Sequence, residues 1–361
     1  MAVIRPSPGL IRDVFRLERS RGGAAGHLVA IAALGMAVPV FVGLLLGHVE
    51  AGLTIGLGAV LLAGPPEDAG SERHRDLVVA MLPALLAILA ALLASAAPWP
   101  DIGVILLAAV SGFVSGYSRP VAVAAIRFGV YLVLCAGFLD GVADHRPLAA
   151  AIFATGALWN MTLRALIMHV GPRLVDAPDA QRAPGLARRF AYFRNTLRSL
   201  DGWQFPSRLV LGLALGSLIR HLFPTHHFYW IMLTVALLTE RPIAHVPVKT
   251  AQRVLGTIAG VGIAAVARAV LTPQLGLPIF LCALAAALPV ARVGSYLVYA
   301  SLTTPLILLL LDFGTTLAPR LLTDRLLATL IGGTVVIMLN LIFDRPGRIP
   351  QSSKTRASRT A

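Results

Sequence analysis

The stretch from Arg325 to Phe343, RLLATLIGGTVVIMLNLIF, carries a single charged side chain, at its first position. At about 1.5 Å of rise per residue a helix of this length runs close to 30 Å, the thickness of a bilayer's hydrocarbon layer. Its reading as a transmembrane helix decides the fold, because runs of the same kind recur along the chain. In the first half they fall near 25–46, 51–65, 77–97, 102–118, 120–140 and 148–170. In the second they fall near 207–223, 228–240, 253–271, 275–291 and 295–312, before 325–343. Each is bounded by charge, Pro or Gly. The expected fold is all-α: a polytopic membrane protein with about twelve transmembrane helices.

Of 361 residues, 57% are hydrophobic and 13% charged, against about 25% charged in a soluble domain. This excludes a water-soluble enzyme and any large extramembrane domain. The net charge of +14 would suggest nucleic acid in a soluble protein. Here it reads as topology, since cations accumulate in cytoplasmic loops and beside anionic lipid. With twelve spans, one side has only Arg146, Arg220, Arg268, Arg320 and Arg325, while Arg127 and Arg164 lie within spans and every other cation falls on the side of the termini. Both termini are expected in the cytoplasm, with the bilayer a bacterial inner membrane.

The expected organisation is a basic arm (1–24), a six-span half (25–170), an amphipathic linker (171–206), a second six-span half (207–343) and a basic tail (344–361). The arm reads as the lead into a first span rather than a removed signal peptide. In the linker, Leu186, Phe190, Phe193, Leu197 and Leu200 recur at helical spacing among arginines, as in a helix lying on the lipid surface. Shifting the chain by 172 residues lays Asp68 on Glu240 and Asp140 on Asp312. Six spans per half enter the membrane in the same direction, so the halves are expected to be parallel repeats.

No phosphate-binding loop, zinc-binding helix motif or nucleophile elbow is present, so neither an enzyme nor a cofactor is expected. His221, His226 and His227 cluster with no carboxylate beside them in the sequence and read as interfacial residues rather than metal ligands. Cys135 and Cys282 sit in apolar runs without partners at ligand spacing.

The most informative stretch runs from Tyr229-Trp230 through Thr234 to Glu240-Arg241-Pro242, then Lys249, Arg253, Gly256-Thr257 and Gly260. Tyr-Trp at a span entry, a short charged loop and Arg-x-x-Gly-Thr opening the next span resemble the fusaric-acid-resistance and aromatic acid exporter family. The run from Arg325 through Thr329, Gly332 and Gly333 is similar to that family's last span. The resemblance covers 207–345 closely and 25–170 loosely, where no Gly-Thr follows. Members often carry a sizeable cytoplasmic domain between the halves; this chain has a short linker.

What the resemblance implies is proton-driven export of small organic anions, aromatic carboxylates above all. Candidate substrate-binding residues are Arg127, Tyr229, Trp230, Thr234, Arg253 and Thr257, since a carboxylate in a low-dielectric site needs a fixed cation. Each has a plainer reading. Arg127 can snorkel, and Tyr229 and Trp230 can belong to an interfacial aromatic belt. Candidate proton-coupling or ion-pair residues are Glu240, Arg241, Asp140 and Asp312, with Glu240 able to pair with Arg241 or Arg253. Gly256 and Gly260 read as helix-packing positions. Two other classes remain: an anion channel resembling the plant aluminium-activated malate transporters, and a membrane assembly component without transport. The expected partners are the substrate anion, protons and the bilayer, with no nucleic acid; a homo-oligomer is compatible with the sequence.

Overall fold

The computed structural model describes residues 25–61, 74–170, 186–272, 274–311 and 319–344. Among them every regular element is helical. The first group is α1 (Ala25–Leu45), α2 (Val49–Leu61), α3 (His74–Ser95), α4 (Pro100–Val114), α5 (Arg119–Asp140) and α6 (Arg146–Val170). A further helix, α7 (Leu186–Arg198), leads to the second group. That group comprises α8 (Leu200–Leu222), α9 (Tyr229–Leu238), α10 (Val246–Val270), α11 (Gly276–Gly294), α12 (Tyr296–Leu311) and α13 (Pro319–Phe343). The α1–α2 turn is tight because Gly47 adopts φ +73°, a left-handed conformation that glycine takes without steric cost.

Among the described residues, six segments are long and apolar enough to cross a membrane: Gly26–Leu45, Pro120–Asp140, Arg146–Ile167, Ile243–Val270, Gly276–Gly294 and Arg320–Phe343. Val49–Leu61, Met81–Ser95, Pro100–Val114, Tyr229–Leu238 and Tyr296–Leu310 are apolar but shorter. The outer surface carries apolar stripes at helical spacing: Leu86, Leu89 and Leu93 on α3, Ile102, Leu106 and Val110 on α4, Leu211, Leu215, Leu218 and Leu222 on α8. Water would penalise such a surface, whereas acyl chains solvate it.

In the first group α1 packs on α2 and α6, α2 on α6, α3 on α5 and α6, and α4 on α5. In the second α8 packs on α9 and α13, α9 on α13, α10 on α12 and α13, and α11 on α12. Between groups α1 meets α11, α2 meets α12, α4 meets α8 and α5 meets α9. Small residues set the closest crossings, because without a hydrophobic force between helices in lipid, packing must come from backbone approach. A Cβ on Gly256 would lie 2.6 Å from the Ala300 Cβ, and one on Gly260 2.6 Å from the Thr304 Cβ. These two positions are thus where α10 and α12 touch.

Several helices begin earlier than their apolar runs suggest. Ser199 caps α8, its Oγ accepting the Gly202 N–H at 3.1 Å, which carries Arg208 two turns into the helix. Likewise α10 starts at Val246 and α13 at Pro319, so Arg253 and Arg325 lie well inside helices. Helix α7 does not lie only against lipid: Phe193 makes an edge contact with Tyr117 at 5.7 Å, and Trp203 Nε1 donates to the Leu197 carbonyl at 2.7 Å. Asp68 and Asp312, on which the 172-residue register rests, are outside the described residues.

Candidate functional site

Arg325 is 1% exposed, and neither its Nη1 nor its Nη2 has a hydrogen-bond partner. Its guanidinium lies over the Trp230 ring, 4.0 Å from the centroid. Arg253, 3% exposed and lacking a partner at Nε, lies within electrostatic reach of Arg325, as do Tyr229 and Tyr296. Trp230 Nε1, Thr234 Oγ1, Thr250 Oγ1 and the Tyr296 hydroxyl are likewise buried without partners. Four helices supply this cluster: α9, α10, α12 and α13. At about 1.5 Å per residue, Arg253 is about 10 Å inside α10 and Arg325 about 9 Å inside α13, well away from the helix ends.

The floor of the cluster is made by consecutive glycines on α13. A Cβ on Gly332 would lie 2.9 Å from the Thr234 Cβ, and one on Gly333 2.9 Å from the Thr250 Cγ2. Their lack of side chains lets one helix approach α9 and α10 together. Thr257, fully buried, donates its hydroxyl to the Arg253 carbonyl at 2.8 Å, so that hydroxyl serves its own helix.

Taking a cation from water costs several kcal/mol. A desolvated cation–π contact returns about 2 kcal/mol, and a second guanidinium nearby adds repulsion. Among the described residues, neither Arg253 nor Arg325 takes part in an ion pair. The cluster is therefore buried, cationic and rich in donors. A carboxylate matches it, since it accepts from guanidinium, indole and hydroxyl donors alike.

Both ends of α9 carry polar clusters. At its start, the fully buried Asp324 is held by His226 Nδ1 at 2.7 Å, His227 Nδ1 at 3.1 Å and the His227 N–H at 3.0 Å. The histidines thus do have a carboxylate, brought from far along the chain. Among the described residues no group of His, Cys, Asp and Glu converges as a metal site. At its end, Glu240 pairs with Lys249 rather than with Arg241 or Arg253. Arg241 instead donates to Ser115 Oγ at 2.7 Å and lies over the Phe205 ring at 5.5 Å. Arg208 donates to Asn340 Oδ1 and to the carbonyls of Glu240 and Arg241, satisfying carbonyls of the turn that follows α9.

The sequence candidates thus separate. Trp230, Thr234 and Arg253 come together, with Tyr229 and Thr257 adjoining. Trp230 is buried and Tyr229 half-buried between helices; the Tyr229 ring fills the space beside Gly137 on α5. Arg127 belongs to another cluster, around Tyr131 with Arg164 and Arg292. Asp140 pairs with Arg220 at 2.8 Å, which also holds Asp101 at 3.2 Å. Asp312 is outside the described residues. Sequence reasoning missed Arg325, Tyr296, Thr250 and Asp324. For Arg325 a signal existed: it opens the last apolar run, and helical sequence precedes it.

Residues 213–339 match the family described as fusaric acid resistance protein-like, so the resemblance read from the Tyr-Trp and Arg-x-x-Gly-Thr stretches holds there. The matched segment contains every residue of the buried arginine cluster. No curated protein and no solved structure matches the chain.

Proposed function

With residues 213–339 carrying the sequence of the fusaric acid resistance protein-like family, we propose that this multi-pass membrane protein is a secondary transporter that exports small organic anions. Aromatic carboxylates are the substrate class that fits best. The observation that carries this reading is the pair of buried arginines, Arg253 and Arg325, the second stacked on Trp230, among unpartnered donors. A substrate carboxylate offsets one of the two positive charges there, and the aromatic side chains Tyr229, Trp230 and Tyr296 favour a flat apolar body.

The transporter is proposed to lie in a bacterial inner membrane with both termini cytoplasmic, its twelve membrane helices forming two parallel six-helix repeats. The helix partners support the repeat, because replacing α1–α6 by α8–α13 in order reproduces the principal packings, and the contacts between groups exchange in the same way. An offset of 176, rather than 172, gives the register. Gly156 faces the Ile55 carbonyl on α2, and Gly332 faces the Ile231 carbonyl on α9.

Proton coupling is assigned to Asp324 with His226 and His227. This carboxylate adjoins Arg325 in sequence and is in hydrogen-bond contact with both imidazole rings. Glu240 and Asp140 are each tied into ion pairs with Lys249 and Arg220, which suits them to structural roles.

Everted vesicles containing the protein test both parts, with labelled hydroxybenzoates and an imposed pH gradient. Wild type accumulates substrate above equilibrium, and Arg253→Gln abolishes uptake. Asp324→Asn retains equilibration but loses uphill accumulation. Undiminished accumulation in Arg253→Gln removes the site assignment. Wild-type equilibration without accumulation replaces the exporter by an anion channel.

A further inference from the structure

A second cationic feature lies apart from the buried arginine cluster, where α1 and α11 meet. A pocket there is lined by Asn160 and Arg164 from α6, Arg292 from α11, Tyr299 from α12, and the apolar Leu28 and Val293. Among the described residues, none that lines it is acidic. Arg164 is 6% exposed and its Nε donates to Asn160 Oδ1 at 2.9 Å. The Asn160 Nδ2, on a side chain 1% exposed, has no hydrogen-bond partner. Arg292 is exposed and lies over the Tyr299 ring at 5.4 Å. The lip is apolar and open, with Val293 45% exposed and Val290, one turn away, 52% exposed.

The other half shows why space remains. In the 176-residue register Ala32 corresponds to Arg208, and Arg164 to Asn340. There Arg208 donates to Asn340 and fills the place with its own guanidinium. The first half has the small Ala32 on α1 and the cation on α6, so its charge faces the pocket instead of closing it.

We infer that this pocket binds the phosphate headgroup of an anionic phospholipid, with Arg164, Arg292 and the Asn160 amide on the phosphate and the acyl chains leaving along the exposed valines of α11. Two guanidiniums and an amide donor suit a phosphate oxyanion, and basic pockets between membrane helices are where anionic headgroups dock. A soluble anion has no use for the apolar lip. The lip faces the same lipid that solvates Leu34 of α1 and Ile279 of α11, 43% and 59% exposed.

Native mass spectrometry of the full-length chain in detergent, with dioleoyl phosphatidylglycerol or dioleoyl phosphatidylcholine added, tests this without reference to transport. The expected result is one phosphatidylglycerol retained per chain with a preference of about tenfold or more. In Ala32→Arg/Arg164→Asn, which rebuilds the pair of the other half, the preference disappears while the melting temperature stays near wild type. If that variant does not fold, Asn160→Ala and Arg292→Gln are the readouts, each lowering the preference. Equal retention of the two lipids by wild type overturns the proposal, as does an unchanged preference in the folded variants. Displacement of the lipid by millimolar inorganic phosphate overturns it in favour of a free anion.

Discussion

The α2–α6 wedge and the α9–α13 wedge share one backbone solution and differ in everything attached to it. In each, a glycine on the later helix faces an isoleucine carbonyl on the earlier one, Gly156 on Ile55 and Gly332 on Ile231. Where the second wedge has Arg325, the first has Ala149, and where the second has Trp230, the first has Thr54, whose hydroxyl bonds its own helix at the Glu50 carbonyl. Phe153, 1% exposed and stacked on Phe138 at 5.1 Å, packs the first wedge with hydrocarbon. Helix packing by small residues and the chemistry of the site are therefore separable: one wedge is scaffold, the other scaffold plus a charged interior.

The largest expected effect comes from making the second wedge like the first. Arg325→Leu should lower hydroxybenzoate flux by about 30-fold or more, the equivalent of the 2 kcal/mol or more lost when a buried charge partner is removed. The same variant should melt higher in the absence of substrate, because exchanging an uncompensated buried charge for hydrocarbon gains about 1–4 kcal/mol. A lower melting temperature would show that Arg325 is a structural residue whose compensation lies elsewhere.

A smaller effect separates backbone approach from chemistry in the first wedge. A Cβ on Gly156 would sit 2.0 Å from the Ile55 carbonyl oxygen, whereas one on Gly262 would meet nothing within 4 Å. Gly156→Ala should cost about 1–3 kcal/mol in thermal unfolding, and Gly262→Ala should be neutral or slightly favourable. Equal effects would dissolve the parallel between the wedges. The finest distinction is between two threonines. Thr234→Val removes an unpartnered hydroxyl beside the site and should raise the half-saturating substrate concentration several-fold, the effect of losing a hydrogen bond worth about 1 kcal/mol. Thr257→Val removes a hydroxyl already bonded to its own helix and should leave that concentration unchanged.

Much of the fold was legible because hydrocarbon thickness converts directly into run length, so apolar segments with charged ends mark helices. Starts were misplaced wherever a helix begins with polar residues. Ser199 caps α8 well before its apolar run, and Arg208, Arg253 and Arg325 all lie inside helices for that reason. The site was half legible: Trp230, Thr234 and Arg253 follow from the Tyr-Trp and Arg-x-x-Gly-Thr patterns. Arg325, Asp324 and Tyr296 required knowing that α12 and α13 fold back against α9 and α10. No local spacing encodes that pairing, which arises from the glycine contacts between helices distant in sequence. His226 and His227 show the same limit, since their carboxylate lies some hundred residues away.

The shortness of α9 has an electrical consequence. Its ten residues span about 15 Å at 1.5 Å per residue, half the usual insulating thickness. Water reaching its polar ends would concentrate the membrane voltage across that short path, steepening the local field about twofold. A monovalent anion carried outward from an inside-negative cell gains about 2.3 kcal/mol per 100 mV, and here most of that drop would act within a single short step past Arg253 and Arg325. Voltage alone would then assist release of the anion from its two guanidiniums.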